Sequence, residues 1–224
     1  MRKSLLTATA SLALLMGLAQ PSHASLMMSI SDGSTTQTLN DIGATGVLSF
    51  NSALGIFTTN VVTALSYPLI GSLIQPVIDL NSIDVANRDS HGGTLTISET
   101  ETGLTGKGGT DWFLNSIGGT LSSGGAMAIN TYLDCGNSAF GTGTHLTSQS
   151  FGSGAFSGEA SADASVCDGS YSLTQIETIN LAAGGFYSGD STLAVPEPST
   201  LATFGAGVLF LFGFGWLRRH GTMV

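Results

Sequence analysis

The densest group of side chains that could do chemistry lies in the segment DLNSIDVANRDSHGG, which contains Asp79, Asp84, Asp89 and His91. Carboxylates on alternate residues around a turn can supply oxygen ligands to Ca²⁺, so Asp84 and Asp89 are weak metal candidates. The spacing matches no EF-hand loop, however, and Arg88 lies inside the group. The plainer interpretation is a strand followed by a solvated turn. We therefore expect no metal and no cofactor.

A second candidate is the carboxylate pair Glu99 and Glu101. Residues two apart on a strand share one face and lie about 7 Å apart. Paired carboxylates are also the machinery of glycoside hydrolysis. Two glutamates before a Gly-rich turn are more typical of a charged strand edge, which protects a sheet from mispairing. The pair is interpreted here as such an edge.

Other catalytic groups are scarce. Outside the two end segments the chain has only two histidines, His91 and His145. The sequence contains no G-x-S-x-G elbow, no H-E-x-x-H pair and no Walker-type phosphate loop. The run GTGTH that ends at His145 is interpreted as a turn, because no helix follows it to hold an anion. The sequence thus predicts a protein that is not an enzyme.

The two cysteines, Cys135 and Cys167, both lie in the middle region. In an exported protein they are expected to form a disulfide. That bond would close a loop of about 32 residues and contribute ~3–4 kcal/mol to stability in the chain-entropy model. Two free or metal-bound thiols are the alternative.

The charge distribution excludes one class of partner. Residues 25–195 contain fourteen acids but only two bases, Arg88 and Lys107, so this region has a net charge of −12. An acidic surface repels nucleic acid and anionic lipid. We expect no nucleic-acid partner.

The middle region is predicted to be all-β. Short runs such as LMMSIS, GTLTISET and YSLTQIETINL alternate apolar and polar residues, and Gly- and Asp-rich turn signals separate them. In GTLTISET, Leu95 and Ile97 should face the core. Most aromatic residues, including Trp112 and Phe113, are assigned to the core. The pattern predicts an antiparallel β-sandwich or jelly-roll-like ectodomain over residues 25–188.

The N-terminus has the order of a secretory signal. Arg2 and Lys3 precede the apolar run LLTATASLALLMGLA, and small residues follow in SHA. This order predicts a signal peptide over residues 1–24, which signal peptidase cleaves between Ala24 and Ser25. A short membrane anchor or a buried helix is the alternative.

The C-terminus contains a second apolar segment. Residues 189–194 are small and polar and precede prolines, so they are predicted to be a linker. Residues 201–217 would form a helix about 26 Å long, marginally enough to cross a membrane as a single transmembrane helix. Arg218 and Arg219 follow it, as expected for a cytoplasmic end.

Residues 195–220 resemble the PEP-CTERM sorting signal of exported bacterial proteins. The resemblance lies in a VPEPS motif, an apolar helix and a basic pair in the right order. It implies that an exosortase recognises the segment and cleaves near the prolines, while the basic pair acts as a stop. A permanent C-terminal anchor is the alternative. The residues concerned are Val195, Pro196, Glu197, Pro198, Ser199, Arg218 and Arg219.

The middle region is also similar to uncharacterised PEP-CTERM ectodomains, through IDLNSIDV, GGTLTISET, GNSAFGTGTHL and GSYSLTQIETI. This resemblance implies only the β-fold. Proteins with the sorting signal are typically linked to biofilm-forming bacteria that produce exopolysaccharide.

Together these features predict an exported protein, transiently anchored in the inner membrane and then located at the cell surface or outside the cell. The leading hypothesis is a non-enzymatic surface or matrix component that associates with exopolysaccharide. A carbohydrate- or ice-binding module is the alternative, and a secreted hydrolase is less favoured. Ice binding would need a flat array of threonines, whereas TLTISETET offers one short row with interleaved acids, so we expect a negative ice assay.

Overall fold

The computed structural model describes residues 24–196, and this part of the chain forms eleven β-strands and no helix. Their alternating β-branched and polar residues explain the preference for strands. The strands are β1 (Ser25–Ser31), β2 (Thr36–Asn40), β3 (Val47–Phe50), β4 (Ala53–Leu54), β5 (Phe57–Leu65), β6 (Val77–Asn87), β7 (Gly93–Lys107), β8 (Thr110–Asp134), β9 (Thr144–Ser165), β10 (Asp168–Leu181) and β11 (Phe186–Ala194).

All eleven strands belong to one antiparallel sheet. Its main path runs β2-β1-β7-β10-β8-β11-β6-β5-β3, while β4 pairs with β5 and β9 pairs with β8. The predicted all-β antiparallel fold is therefore confirmed. A β-sandwich consists of two separate sheets. Here two halves of one continuous sheet form the two layers, so the fold is only sandwich-like.

Strand β8 joins the two halves. Its residues 114–121 pair with β11 and its residues 126–134 pair with β10. The register shift between Leu121 and Ala126 separates these two stretches, and β9 follows β8 along both of them. The halves then face each other, because Met28 of β1 and Val62 of β5 belong to the same core cluster.

The interior contains two apolar clusters. The larger one, here called the large core cluster, takes residues from most strands and includes Ile97, Ile117, Ile129, Ile179 and Tyr187. The other, here called the small core cluster, is formed by Ile78, Leu104, Phe113, Leu133, Leu146, Val166, Tyr171, Leu173, Leu193 and Val195.

The predicted alternation is confirmed in β7, where Leu95 and Ile97 are buried. Prediction was wrong at the end of the domain, because residues 189–194 lie inside β11 and are not a linker. The fold therefore extends beyond residue 188. Small residues misled the interpretation: Gly189 and Ser191 face the interior, where a Cβ on Gly189 would meet the Tyr187 hydroxyl.

Cys135, directly after β8, and Cys167, between β9 and β10, form a disulfide with a Cα–Cα distance of 5.5 Å. The predicted pairing is confirmed.

The signal peptide up to residue 23 and the transmembrane helix over 201–217 lie outside the described residues. So do Glu197, Pro198, Ser199, Arg218 and Arg219. Ser25, which follows the predicted signal cleavage point, is the first residue of β1. Between residues 24 and 196 no helix has the length and hydropathy needed to cross a membrane.

Candidate functional site

A layer of buried polar side chains, here called the polar belt, separates the two core clusters. On β7 it lies between Ile97 and Leu104, and on β10 between Ile179 and Leu173. Each member is at most 4% exposed. The members of the polar belt are Glu99, Glu101, Asn115, Thr131, Thr147, Gln175, Glu177 and Ser191.

Hydrogen bonds connect part of the polar belt. Gln175 donates from Nε2 to Glu99 Oε2 over 2.5 Å, and the Ser191 hydroxyl donates to Gln175 Oε1 over 3.5 Å. The Tyr187 hydroxyl donates to Glu177 Oε2 over 3.3 Å. One oxygen of each of these two glutamates is thereby satisfied.

Four carboxyl oxygens of the polar belt have no hydrogen-bond partner. They are Oε1 of Glu99, Oε1 of Glu177 and both oxygens of Glu101. An ionised carboxylate in such surroundings is strongly unfavourable, because burial removes its hydration without replacing it. The neutral, protonated form is therefore the favoured one.

The pKa values follow from this burial. Loss of hydration on burial raises the pKa of Glu101 to about 8. Burial raises the pKa of Glu177 to about 7. Burial also holds the pKa of Glu99 well above its usual value, which Gln175 opposes.

The interpretation of Glu99 and Glu101 as a charged sheet edge was wrong. Strand β7 lies between β1 and β10, so it is an interior strand, and both glutamates are fully buried. The alternation in the sequence could have predicted this burial. Residues two apart on a strand share a face, so Glu99 and Glu101 lie on the same core face as Leu95 and Ile97. A carboxylate pair sealed from solvent cannot reach a polysaccharide substrate.

The same finding removes the acids from the outer face of β7. Thr96 pairs there with Ser31 and Thr178, and Ser98 pairs with Ser29 and Ile176. The reason given against ice binding, interleaved acids, was therefore wrong. A regular threonine array is still missing, since Ile176 interrupts one row, and we keep the expectation of a negative ice assay.

The metal candidates lie in separate hydrogen-bond networks. Asp84 Oδ2 accepts from Asn60 Nδ2 over 3.2 Å. Asp89 Oδ1 accepts from the backbone N–H of His91 over 2.9 Å and lies 2.9 Å from its Nδ1. These contacts lower the pKa of Asp89. Among residues 24–196, no group of three acidic, histidine or cysteine side chains is placed to hold a metal ion.

One surface cavity is a cleft of about 640 Å³, here called the Trp112 cleft. One wall is the turn between β7 and β8, a second is the loop before β6, and the end of β11 completes it. Its lining residues are Ile74, Gln75, Thr105, Lys107, Gly108, Thr110, Asp111, Trp112, Val195 and Pro196.

Backbone contacts hold these walls in place. Thr105 donates its N–H to the Leu73 carbonyl over 2.8 Å, which fastens the loop to β7. Val166 donates to the Gly109 carbonyl over 2.8 Å. Gly108 and Gly109 have φ of +67° and +88°, a conformation that glycine adopts without strain. The cleft is thus held by backbone hydrogen bonds, and Val166 is the neighbour in sequence of the disulfide-bonded Cys167.

Trp112 was assigned to the core at the level of sequence, and this was wrong. The residue is 46% exposed, whereas its neighbour Phe113 is fully buried. Adjacent residues of a strand point to opposite faces, so only one of the two aromatics can be in the core. Period-two alternation could have identified an outward aromatic, but not the loop that faces it.

The sorting motif begins at the end of β11. Ala194 pairs with both Leu114 and Val77, and Val195 donates its N–H to the Pro76 carbonyl over 3.0 Å. The Val195 side chain belongs to the small core cluster. Only Val195 lies between the end of β11 and Pro196.

The resemblance noted in the sequence is confirmed, because residues 194–219 match the family model of the PEP-CTERM protein-sorting motif. The motif implies export, exosortase processing and sorting to the cell surface. No curated protein matches the chain.

Several solved structures are distantly similar. TmCBM61 in complex with β-1,4-galactotriose is 11% identical, with a TM-score of 0.35, over 74% of this chain and 86% of its own. Bacteriophage CBA120 tailspike protein 4 is 13% identical, with a TM-score of 0.32, over 61% of this chain and 19% of its own. The Clostridium thermocellum xylanase 10B CBM22-1–GH10 modules with xylohexaose are 15% identical, with a TM-score of 0.30, over 51% and 22%. Similarities at these TM-scores are too weak to indicate a function for this chain.

Proposed function

We propose that this protein is a non-enzymatic component of the cell surface or extracellular matrix, associated with exopolysaccharide in a biofilm. The observation that carries the proposal is the junction at Ala194 and Val195, where a complete β-domain passes directly into the sorting motif. The domain is what the sorting signal delivers.

The position of the junction suits release of an intact domain. Within the described part of the chain, Val195 is the last residue that packs into the small core cluster. Cleavage near residues 196–198 would leave β11 and its partners β6 and β8 unchanged. The released product would therefore keep every strand of the sheet.

A structural role is supported by the placement of the acids. The closely spaced glutamates of the polar belt are sealed in the interior, where they cannot contact a substrate. Asp89 is engaged with its own turn through His91. Neither group is placed as an acid–base pair on the described surface.

Cell fractionation with mass spectrometry of the mature C-terminus tests the proposal. Replacement of Glu197 by Ala should leave the full-length protein in the membrane fraction, whereas wild type reaches the surface or medium with its tail removed. Glu159→Ala, which changes an acid on the domain surface, is the control and should be processed normally.

A deletion strain tests the matrix role. Its biofilm should hold less exopolysaccharide than wild type, and the unprocessed Glu197→Ala protein should not restore it. Protein found only in the cytosol, or a matrix unchanged by the deletion, would contradict the proposal.

A further inference from the structure

The Trp112 cleft combines two exposed apolar side chains. Trp112 is 46% exposed and Ile74 is 45% exposed, and both line the same cavity. Exposed large apolar side chains that share a concave site mark interaction surfaces more often than singly scattered ones do. The indole ring offers a large, rigid contact face with little conformational entropy to lose.

The rest of the cleft is polar in a way that suits hydroxyl groups. Gln75, Thr105 and Thr110 supply amide and hydroxyl groups that both donate and accept. A pyranose ring has one face of C–H groups and an edge of hydroxyls. The C–H face matches an aromatic ring, and the hydroxyl edge matches such a polar rim.

Charge selects among polysaccharides. Lys107 and Asp111 lie in the same cleft, so its local charge is close to balanced. The domain around it has a net charge of −12, which repels polyanions at long range. An uncharged polymer avoids this repulsion.

The cleft is also organised before any ligand arrives. The bonds from Thr105 to Leu73 and from Val166 to Gly109 hold two of its walls. Its volume of about 640 Å³ is within the range that small ligands fill, so it has room for a short stretch of a sugar polymer. A preformed site loses less entropy on binding.

We infer that the Trp112 cleft binds a segment of an uncharged polysaccharide, with the Trp112 ring packed on a sugar ring. The inference rests on the proposed function, since it names the site through which the matrix component holds its glycan.

Affinity electrophoresis of the full-length protein in detergent tests this site. The gels contain neutral β-glucan, galactan or mannan, or polygalacturonate as the polyanion. Retardation is expected in at least one neutral gel, and much less in polygalacturonate. Trp112→Ala should weaken binding about tenfold or more, as expected for loss of an aromatic anchor. Gln75→Ala, in the loop before β6, should weaken it less.

Phe186→Ala is the matched control, because Phe186 is 47% exposed and lies outside the cleft. It should bind like wild type. The inference is overturned if Trp112→Ala binds as well as wild type with an unchanged melting temperature, or if Phe186→Ala loses as much. Binding only to polygalacturonate, or retention in no gel, also overturns it.

The two proposals can fail separately. Retention in no gel, with normal surface location and a matrix defect in the deletion strain, would reject the cleft and keep the proposed function. Tight binding by a protein that never leaves the cytosol would reject the proposed function.

Discussion

The polar belt and the Trp112 cleft are both exceptions to the usual distribution, in which charged side chains are exposed and large apolar ones are buried. In the polar belt, Glu99, Glu101 and Glu177 are fully buried between apolar clusters. In the cleft, Trp112 is left in contact with water although Phe113 beside it is buried. One region is unfavourable because its polar groups lack water, and the other because its apolar surface meets water.

The difference shows which region can interact with other molecules. A buried carboxyl group exchanges only protons with its surroundings, so the polar belt links folding to pH. An exposed indole can be covered by a ligand, so the cleft can take part in binding. Substitutions in the polar belt should therefore change stability, and substitutions in the cleft should change binding.

The largest expected effect is a loss of stability as pH rises. Between about pH 4.5 and the raised values of about 7 and 8, the native state holds protons on Glu177 and Glu101 that the unfolded state has released. The free energy of unfolding therefore falls across this window. The loss is on the order of several kcal/mol, since each unit of pKa shift corresponds to about 1.4 kcal/mol.

Urea denaturation at pH 5, 7 and 9 measures this effect. The midpoint should be highest at pH 5. Below that pH an opposite trend begins, because hydrogen bonds from the Ser138 and Gly136 backbone lower the pKa of Asp134, which stabilises the fold only while ionised. A midpoint that rises from pH 5 to 9 would contradict the burial of neutral glutamates.

Removal of the disulfide should have the next largest effect. Replacing both Cys135 and Cys167 by Ser should lower the free energy of unfolding by roughly 3–4 kcal/mol, as expected for a closed loop of this length. The Cys167 carbonyl accepts from the Gly108 N–H over 3.4 Å, so the cleft wall should loosen as well. Thermal unfolding and affinity electrophoresis measure the two consequences.

A single neutral substitution in the polar belt tests whether Glu101 causes part of this pH dependence. Glu101→Gln keeps the shape but cannot ionise, so it should stabilise the protein at pH 9 by roughly 2–3 kcal/mol and change little at pH 5. Asp134→Asn, at the end of β8, is the control, and it should instead lower the free energy of unfolding by about 1 kcal/mol at neutral pH. Equal effects of Glu101→Gln at both pH values would argue that Glu101 is ionised in the fold.

Much of the fold was predictable because it depends on local pattern. Alternation identifies the core face of β7 through Leu95 and Ile97, and the same period places Glu99 and Glu101 beside them. The general preference of acids for water outweighed that signal in the sequence interpretation. In β11, small residues were taken for a linker because the close packing of Tyr187 against Gly189, which leaves no room for a side chain, is visible only in three dimensions.

The Trp112 cleft could not be predicted in the same way. It joins the loop around Gln75, the turn around Gly108 and the chain end at Val195, which are far apart in sequence. The contacts that bring them together are backbone hydrogen bonds such as that from Thr105 to Leu73, which no side-chain pattern encodes. Alternation indicates only that Trp112 or Phe113 must face outward.

The smallest expected change in stability belongs to the cleft. Trp112→Ala removes an aromatic ring that is nearly half exposed and whose loss leaves no sealed cavity, so the free energy of unfolding should change by about 0.5 kcal/mol or less. Phe113→Ala, one residue away and fully buried, should lower it by roughly 3–5 kcal/mol. Thermal unfolding of the two variants side by side provides the comparison. If Trp112→Ala destabilised the fold as strongly as Phe113→Ala, Trp112 would be a packing residue, and its exposure could no longer be explained by a ligand.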